Sequence, residues 1–152
     1  MARSFCFVTL FVSILTFAAS TVVFAQVDPV ALMEQHRAAI ARGDVAGALA
    51  LYTDDAVIDA PGLCAATPCV GKAAIQKELE SRVAVNNRAT AIKNYVSGNV
   101  VTSRFEVRND ATQKAGVERV ILWAIYEMKG DKIASVYGIP ERTDPQTARF
   151  LE

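Results

Sequence analysis

The stretch 43-GDVAGALALYTDDAVIDAPG-62 decides how this chain folds, because it joins helical sequence to strand-like sequence. Gly43 ends one helix, and Asp44 starts a second short helix that runs into Tyr52. A short strand is predicted next at residues 56–60, and Pro61-Gly62 ends it. The stretch therefore predicts a fold in which helices come first and strands follow.

The sequence before this stretch predicts a first helix. Asp28-Pro29 is a typical helix start, since Asp accepts hydrogen bonds from free N–H groups and Pro suits the first helical position. Met33, His36 and Ile40 are spaced by three and four residues, so they share one face of this helix. We expect that face to point into the core.

The sequence after this stretch changes its period from helix to strand. A third helix is predicted at about residues 72–85, with Ile75, Leu79 and Val83 as its apolar stripe. Residues 101–108 alternate apolar and polar, 109–116 form a loop, 120–126 are apolar on both faces like a covered central strand, and 132–139 form the last strand. The pattern predicts an α+β fold, a curved antiparallel sheet with helices packed on one side, which can enclose an apolar pocket.

The first 25 residues have the composition of a secretory signal peptide. Arg3 is their only charged residue, residues 5–19 are mostly apolar, and Val23-Phe24-Ala25 resembles a cleavage site. A retained membrane anchor is the alternative, since residues 5–25 are almost long enough to span a bilayer. We therefore expect an exported protein, periplasmic or secreted, whose mature part is a single domain of residues 26–152 without membrane association after cleavage.

Charge and cysteine content exclude several classes of partner. The 16 basic residues balance 16 acidic ones, so no basic surface is expected for nucleic acid or an anionic membrane. Cys64 and Cys69 remain after Cys6 leaves with the signal segment, and a close pair in an exported protein suggests a disulfide. Two unpaired loop cysteines are the alternative. With His36 as the only histidine, the chain lacks the usual zinc ligand set, and no metal or cofactor is predicted.

The order of these pieces resembles the nuclear transport factor 2-like superfamily, which includes the ketosteroid isomerases and the SnoaL-like polyketide cyclases. The resemblance covers nearly the whole mature chain, and it is carried by Gly43-Asp44, Leu51-Tyr52, Asp54-Asp55-Ala56, Pro61-Gly62, Gly71 and the closing strands "YEMKGDKIASVYGIPE". It implies a cone-shaped sheet around the first helix, often in a homodimer, with a pocket at the open end. Such pieces mark a fold rather than one activity.

The resemblance also implies where an isomerase would carry its catalytic base. Ketosteroid isomerases place an Asp immediately before the proline of this stretch, where this chain has Ala60. Asp59 is one residue earlier, and on a strand that shift turns its side chain to the opposite face. A local bulge would keep Asp59 as a catalytic candidate. Asp54 and Asp55 are predicted to be turn and capping residues.

The same resemblance indicates the groups that would hold a substrate oxyanion. It places His36 at the position of the isomerase tyrosine and Ala124 at that of the protonated Asp, while Tyr52 matches a supporting tyrosine. The base and one donor are therefore absent. His36 is expected to donate a hydrogen bond to a ligand or to act as acid or base near neutral pH. The alternative is a buried histidine bonded to Tyr52 or Tyr126.

These expectations lead to a predicted pocket and to three readings of its function. The predicted wall residues are His36, Tyr52, Phe105, Val107, Val120, Leu122, Ala124 and Tyr126. The first reading is a protein that binds a small, largely apolar molecule in the cone. The second is an isomerase, cyclase or dehydratase in which His36 is the acid-base, assisted by Tyr52, Asp59 or Tyr126. The third is a dimeric assembly module with a filled cone, in which Trp123 and Ile125 cover the back of the sheet or form the dimer face.

Overall fold

A computed structural model of the protein describes residues 27–60 and 68–152, and these residues are built around one six-stranded sheet. The helices within them are α1 (Pro29–Ala41), α2 (Val45–Ala50), α3 (Gly71–Ala84), α4 (Asp110–Lys114) and α5 (Pro145–Phe150). The strands are β1 (Tyr52–Asp59), β2 (Cys69–Val70), β3 (Arg88–Ser97), β4 (Val100–Arg108), β5 (Val120–Lys129) and β6 (Lys132–Pro140). The predicted α+β fold, a curved open sheet with helices packed against it, is confirmed.

The two N-terminal helices begin where the sequence predicts. The Asp28 side chain accepts a hydrogen bond from the Val30 N–H at 2.9 Å, and Pro29 occupies the first position of α1. The Asp44 side chain accepts one from the Gly47 N–H at 2.7 Å at the start of α2. Between them Gly43 has a φ of 77°, a left-handed conformation that glycine adopts without strain. Local capping chemistry therefore sets the turn between α1 and α2.

The core lies between the helices and the inner face of the sheet. α1 contacts α2, α3 and β3, and α3 contacts β1. α1 buries Leu32, Met33, His36, Arg37, Ala39 and Ile40, and α3 buries Ile75, Glu78 and Leu79. Each large apolar side chain buried in this way contributes about 1.5–3 kcal/mol. The buried faces also contain charged and polar groups, which the apolar stripes alone do not predict.

The sheet has the order β2-β1-β6-β5-β4-β3, and all neighbouring strands are antiparallel except β1 and β6, which are parallel. β1 and β6 are far apart in the chain, so no hairpin forces them to be antiparallel. Register shifts occur in β3 between Ala91 and Lys93 and in β5 between Glu127 and Met128. Such bulges bend strands, and they account for the curvature of the sheet.

The segment that contains Asp54 and Asp55 differs from its prediction. β1 begins at Tyr52, so Asp54 and Asp55 are exposed strand residues and not turn or capping residues. They lie where the pairing of β1 with β6 shifts between Tyr52 and Val57, and a long-range pairing of this kind overrides a local turn preference. The Asp54 carboxylate forms an ion pair with Lys72 at 2.7 Å across to α3.

Two further corrections concern short helices. The predicted loop at residues 109–116 contains α4, which begins with a capping box between Asn109 and Thr112. The C-terminal helix α5 was not predicted, although Asp144 and Pro145 repeat the start signal of α1, and the Asp144 side chain accepts from the Thr147 N–H at 2.9 Å. A helix of six residues is too short to show an apolar period of its own.

Two more points concern the central strand and the rest of the chain. β5 is not covered on both faces along its length, because Ile125 is 42% exposed. No helix among residues 27–60 and 68–152 is both long and apolar enough to cross a membrane. The predicted signal segment, Pro61-Gly62 and Cys64 lie outside the described residues.

Candidate functional site

A cavity of about 330 Å³ lies at one end of the sheet, where β4 and β6 end and β3 and β5 begin. The predicted wall residues that line it are His36, Phe105, Val107, Val120, Leu122, Ala124 and Tyr126. Tyr52 was also predicted in the wall but does not line the cavity. The short helices add Thr112 from α4 and Phe150 from α5. The cavity thus combines alternating strand residues with helical segments from both ends of the chain.

His36 and Tyr52 form a buried pair at the cavity. His36 lies on the inner face of α1, is 2% exposed and lines the cavity. Its Nε2 atom lies 2.9 Å from the hydroxyl of Tyr52, and the two rings meet edge to face with centroids 5.2 Å apart. His36 therefore borders the cavity, as expected of a ligand contact, and is also bonded to Tyr52, as expected of a buried histidine.

Burial fixes the protonation of this pair. It raises the pKa of the Tyr52 hydroxyl, which stays protonated. Burial also lowers the pKa of His36 to about 3, with smaller contributions from the charges of Arg82 and Arg37, so the imidazole is neutral at pH 7. A phenol hydroxyl is a stronger donor than a neutral imidazole N–H, and an imidazole nitrogen is a stronger acceptor than a phenol oxygen, so we assign Tyr52 as the donor to His36 Nε2. The hydrogen of the neutral ring then sits on Nδ1.

The Nδ1 atom of His36 is a buried donor without a partner in the described part of the chain. An unmade hydrogen bond at a buried polar group costs about 1–3 kcal/mol. Because His36 lines the cavity, an oxygen of a bound molecule could accept this hydrogen bond. The pair is suited to hold a ligand oxygen and unsuited, at its lowered pKa, to carry a positive charge.

Arg37 is the first of two cavity arginines that the sequence reasoning missed. It is buried, its Nη2 atom donates to Ser103 Oγ at 2.8 Å, and its Nη1 atom donates to Glu34 at 2.9 Å. Its guanidinium lies 4.7 Å from the ring centroid of Phe105, within the range of a cation–π contact. The spacing from Met33 and Ile40 places Arg37 on the buried stripe of α1, and this is the signal that could have identified it.

Arg82 is the second missed residue, on the last turn of α3. Its Nε atom donates to Glu78 at 2.8 Å, and both side chains are largely buried. Desolvation raises the pKa of the Glu78 carboxyl, against the effect of Arg82. The Nη2 atom of Arg82 is buried and has no partner among residues 27–60 and 68–152. A Glu–Arg pair four residues apart is typical of an exposed helix face, so its spacing gives no sign of burial.

Asp59 and Ala60, the two candidates for a catalytic base position, lie at the end of β1. Asp59 is exposed and does not line the cavity, whereas Ile58 and Ala60 are buried. Its strand neighbour on β6 is Tyr137, which is also exposed. The structure therefore does not bring Asp59 together with His36 and Tyr52.

The remaining predicted site residues are the cysteines. Cys69 is buried in β2, and Cys64 lies outside the described residues, so their disulfide stays a prediction. Within the described ranges no three His, Cys, Asp or Glu side chains cluster as ligands of a metal ion would.

Comparison with solved structures finds the same architecture in several proteins. A nuclear transport factor 2-like protein from Cytophaga hutchinsonii aligns over 78% of this chain and 95% of its own, with a TM-score of 0.62 and 12% identity. A protein with a ketosteroid isomerase-like fold from Catenulispora acidiphila, solved in complex with trimethylamine, aligns over 71% and 83%, with a TM-score of 0.59 and 16% identity. At these identities the likeness is one of fold.

An enzyme is also among the similar structures. SalBIII, an epoxide hydrolase/cyclase-like enzyme of pyran ring formation in the polyether salinomycin, aligns over 76% of this chain and 92% of its own, with a TM-score of 0.64 and 17% identity. No curated protein matches the chain. The sequence model of the SnoaL-like domain matches residues 33–136, from the inner face of α1 to the middle of β6. This match covers more than half of the chain and shows that the protein belongs to the SnoaL-like domain family.

Proposed function

We propose that this protein binds a small, largely apolar molecule in the cavity. The observation that carries the proposal is the space of about 330 Å³ between apolar strand residues and the His36–Tyr52 pair. Small-molecule sites are typically concave, mostly apolar and about 300–1,000 Å³ in volume, with few polar groups to orient the ligand. Ala60 and Ala124 stand where an isomerase carries carboxyl groups, and this favours binding without a complete catalytic set.

The volume of the cavity argues against a cone that is simply filled as core. Protein interiors pack to a density that leaves few voids larger than a water molecule, which occupies about 30 Å³ in the liquid. A cavity of about 330 Å³ is far above that size, although long apolar residues such as Leu122 and Phe105 line it. A purely structural cone would gain stability from larger residues at Ala124 or Gly138.

The binding proposal is tested with N-phenyl-1-naphthylamine, a neutral fluorescent probe that becomes bright in apolar sites. We expect saturable binding of about one molecule per chain. Ala124→Phe adds a large side chain to the wall and should abolish binding. Ile125→Phe changes the neighbouring residue, whose side chain is exposed, and should leave binding intact. Equal binding by both variants would show that the probe does not occupy the cavity.

An enzyme of the isomerase, cyclase or dehydratase kind is the second candidate, favoured by the His36–Tyr52 hydrogen bond at the cavity wall. The pKa of about 3 makes free His36 a weak base, so a neutral hydrogen-bonding role suits it better than acid-base transfer at pH 7. Native mass spectrometry of gently purified protein would identify a bound molecule to assay. His36→Ala should then abolish its conversion without loss of fold, and unchanged turnover would remove His36 from the mechanism.

We further propose a homodimer through the outer face of the sheet. Ile125 pairs with Tyr137, and Trp123 pairs with Ile139, so these residues form a continuous apolar surface. A two-fold dimer buries the same surface on both chains. We expect light scattering to give the mass of a dimer for the native protein and of a monomer for Ile125→Glu. Val70→Glu, at an exposed position on the edge strand β2, should remain dimeric.

Export and the disulfide form the last part of the proposal. Its support is the composition of residues 1–25 and the spacing of Cys64 and Cys69. We expect the protein recovered from outside the cytoplasm to begin at Gln26. Thiol titration of that protein, unfolded without reductant, should find no free thiol, and two reactive thiols would contradict the disulfide.

A further inference from the structure

Positive charge in the cavity wall is not balanced by acidic residues of the same wall. Arg37 and Arg82 line the cavity, and no Asp or Glu among the described residues does. Their carboxylate partners, Glu34 and Glu78, lie outside the wall. In a site of low dielectric constant such a charge favours an anion more strongly than it would in water. An entirely apolar ligand would leave this feature unused.

The two arginines differ in how fully their donors are used. Arg37 is held by Glu34, by Ser103 and by the ring of Phe105, so its guanidinium is fixed in place. Arg82 has one carboxylate partner through Nε, and its buried Nη2 atom has no partner in the described part of the chain. A guanidinium has five donors in a planar fork that matches two carboxylate oxygens. The Nε atom of Arg37 also has no partner in the described part of the chain, but both of its Nη atoms are bonded. Arg82 is bonded through Nε, so it is the arginine whose terminal nitrogens are left for a ligand.

We propose that the molecule bound in the cavity is an apolar carboxylic acid in its ionised form, and that Arg82 binds its carboxylate. This inference rests on the proposed binding function and names the chemical class of the ligand. The apolar residues of β4 and β5 would hold the body of the molecule, as they line most of the cavity. The Nδ1 hydrogen of His36 is available for an oxygen of the same molecule.

A single carboxylate fits this wall better than a phosphate does. Phosphate groups carry more charge and are usually bound by several backbone and side-chain donors together. Here the largely buried Arg82 already shares its charge with Glu78, and the rest of the wall is mainly apolar. Because the two arginines are already paired with Glu34 and Glu78, a ligand with a single negative charge adds less uncompensated charge to the wall than a phosphate would.

The experiment compares two competitors with the same skeleton, 4-phenylbutanoate and 4-phenylbutanamide, in displacing N-phenyl-1-naphthylamine at pH 7.5. We expect the carboxylate to displace the probe at a concentration at least tenfold below that of the amide. Equal displacement by both, or displacement by neither, would overturn the inference while the binding proposal stands. Absence of probe binding to the native protein would instead refute the binding proposal, and the inference with it.

The role of Arg82 is tested by the double variant Glu78→Gln with Arg82→Gln. It preserves the net charge and leaves no unpaired carboxylate in the helix. We expect its preference for the carboxylate over the amide, taken as the ratio of the two displacing concentrations, to fall at least tenfold. Lys77→Gln removes an exposed charge from the same helix and should keep the native preference.

A preference that survives in the double variant would overturn the assignment to Arg82. If that variant does not fold, Arg82→Lys provides the test, because lysine keeps the charge and loses the planar fork. We then expect the ratio of the two displacing concentrations to fall several-fold. An unchanged preference in Arg82→Lys would contradict a carboxylate held by the fork.

Discussion

The two faces of the central strands carry apolar residues of the same kind in opposite surroundings. On the inner face Leu122, Ala124 and Tyr126 line the cavity beside buried arginines. On the outer face Ile125 and Tyr137 are paired neighbours that are 42% and 45% exposed. Among residues 27–60 and 68–152 the helices pack on the inner face, so the same alternating pattern produces a pocket on one side and an open apolar surface on the other. The hydrophobic pattern therefore identifies the two faces of the strands, and tertiary packing determines which face is buried.

The largest effect should separate two isoleucines of strand β6. Ile133 is fully buried and Ile139 is 48% exposed. A register shift between them places their side chains on opposite faces of the sheet. Ile133→Ala should lower the free energy of unfolding by about 2–5 kcal/mol, because it leaves a cavity in the core. Ile139→Ala should change it by less than about 0.5 kcal/mol in the monomer. Urea unfolding monitored by circular dichroism measures both.

Equal losses for the two isoleucines would contradict the difference in burial between the two faces. A loss for Ile139→Ala that grows with protein concentration would show that the outer face is buried in an assembly. Ile125→Glu, which should prevent dimer formation, distinguishes the two cases, because Ile139→Ala should cost nothing further in that background.

The next effect concerns the attachment of α5 to the start of β5. The Thr147 hydroxyl is buried and accepts a hydrogen bond from the Ile121 N–H at 2.8 Å. Thr147→Val keeps the shape of the side chain but leaves that N–H unpaired, so we expect a loss of about 1–3 kcal/mol in the free energy of unfolding. Thr102→Val, at a half-buried position of β4, is the matched control and should be nearly neutral. Equal effects would mean that the hydroxyl bond does not hold α5.

A smaller effect should appear between pH 6.5 and 5.5. The folded pKa of His36 is about 3, below its usual value of 6.5, so its contribution to stability is complete above pH 6.5 and is lost as the pH falls towards 3. The loss should be about 1 kcal/mol between pH 6.5 and 5.5. Glu78, whose pKa is raised, acts in the opposite direction.

The variant His36→Gln isolates this contribution, because the chain has no other histidine. The difference in the free energy of unfolding between the native protein and His36→Gln should shrink by about 1 kcal/mol over the same pH range. Chemical denaturation at several pH values measures it. A constant difference would show that His36 has the same pKa in the folded and unfolded states, as a solvated histidine does, and the inner face would then lose its buried polar site.

The periodic features of the fold could be predicted from the sequence, whereas single buried charged residues could not. The inner strand residues Phe105, Leu122 and Tyr126 follow from alternation, and the start of α1 follows from Asp28-Pro29. The buried arginines were missed because a charged residue on an apolar stripe is usually solvated, and burial of Arg37 depends on Ser103, 66 residues away. Long-range partners of this kind leave no local trace in one sequence.

The smallest effect concerns Asp59 of β1, the catalytic candidate one residue before the position of the isomerase base. Asp59 lies on the exposed face, away from the cavity, and no group of the described cavity wall is bonded to it. Asp59→Asn should therefore change the free energy of unfolding by less than about 0.5 kcal/mol and leave binding of N-phenyl-1-naphthylamine unaltered. Asp144→Ala, which removes the cap of α5, should cost about 0.5–2 kcal/mol, whereas Asp59→Ala should cost less than about 0.5 kcal/mol.

Substitutions at these two positions show whether the effect of losing a carboxylate depends on the groups around it. Asp59 and Asp144 are the same residue type, but of the two only Asp144 accepts hydrogen bonds from the backbone N–H and the buried hydroxyl of Thr147. If Asp59→Asn abolished probe binding, the end of β1 would have to turn its side chain inward. Asp59 would then supply the catalytic base that is missing at position 60, and the enzyme proposal would become stronger than the binding proposal.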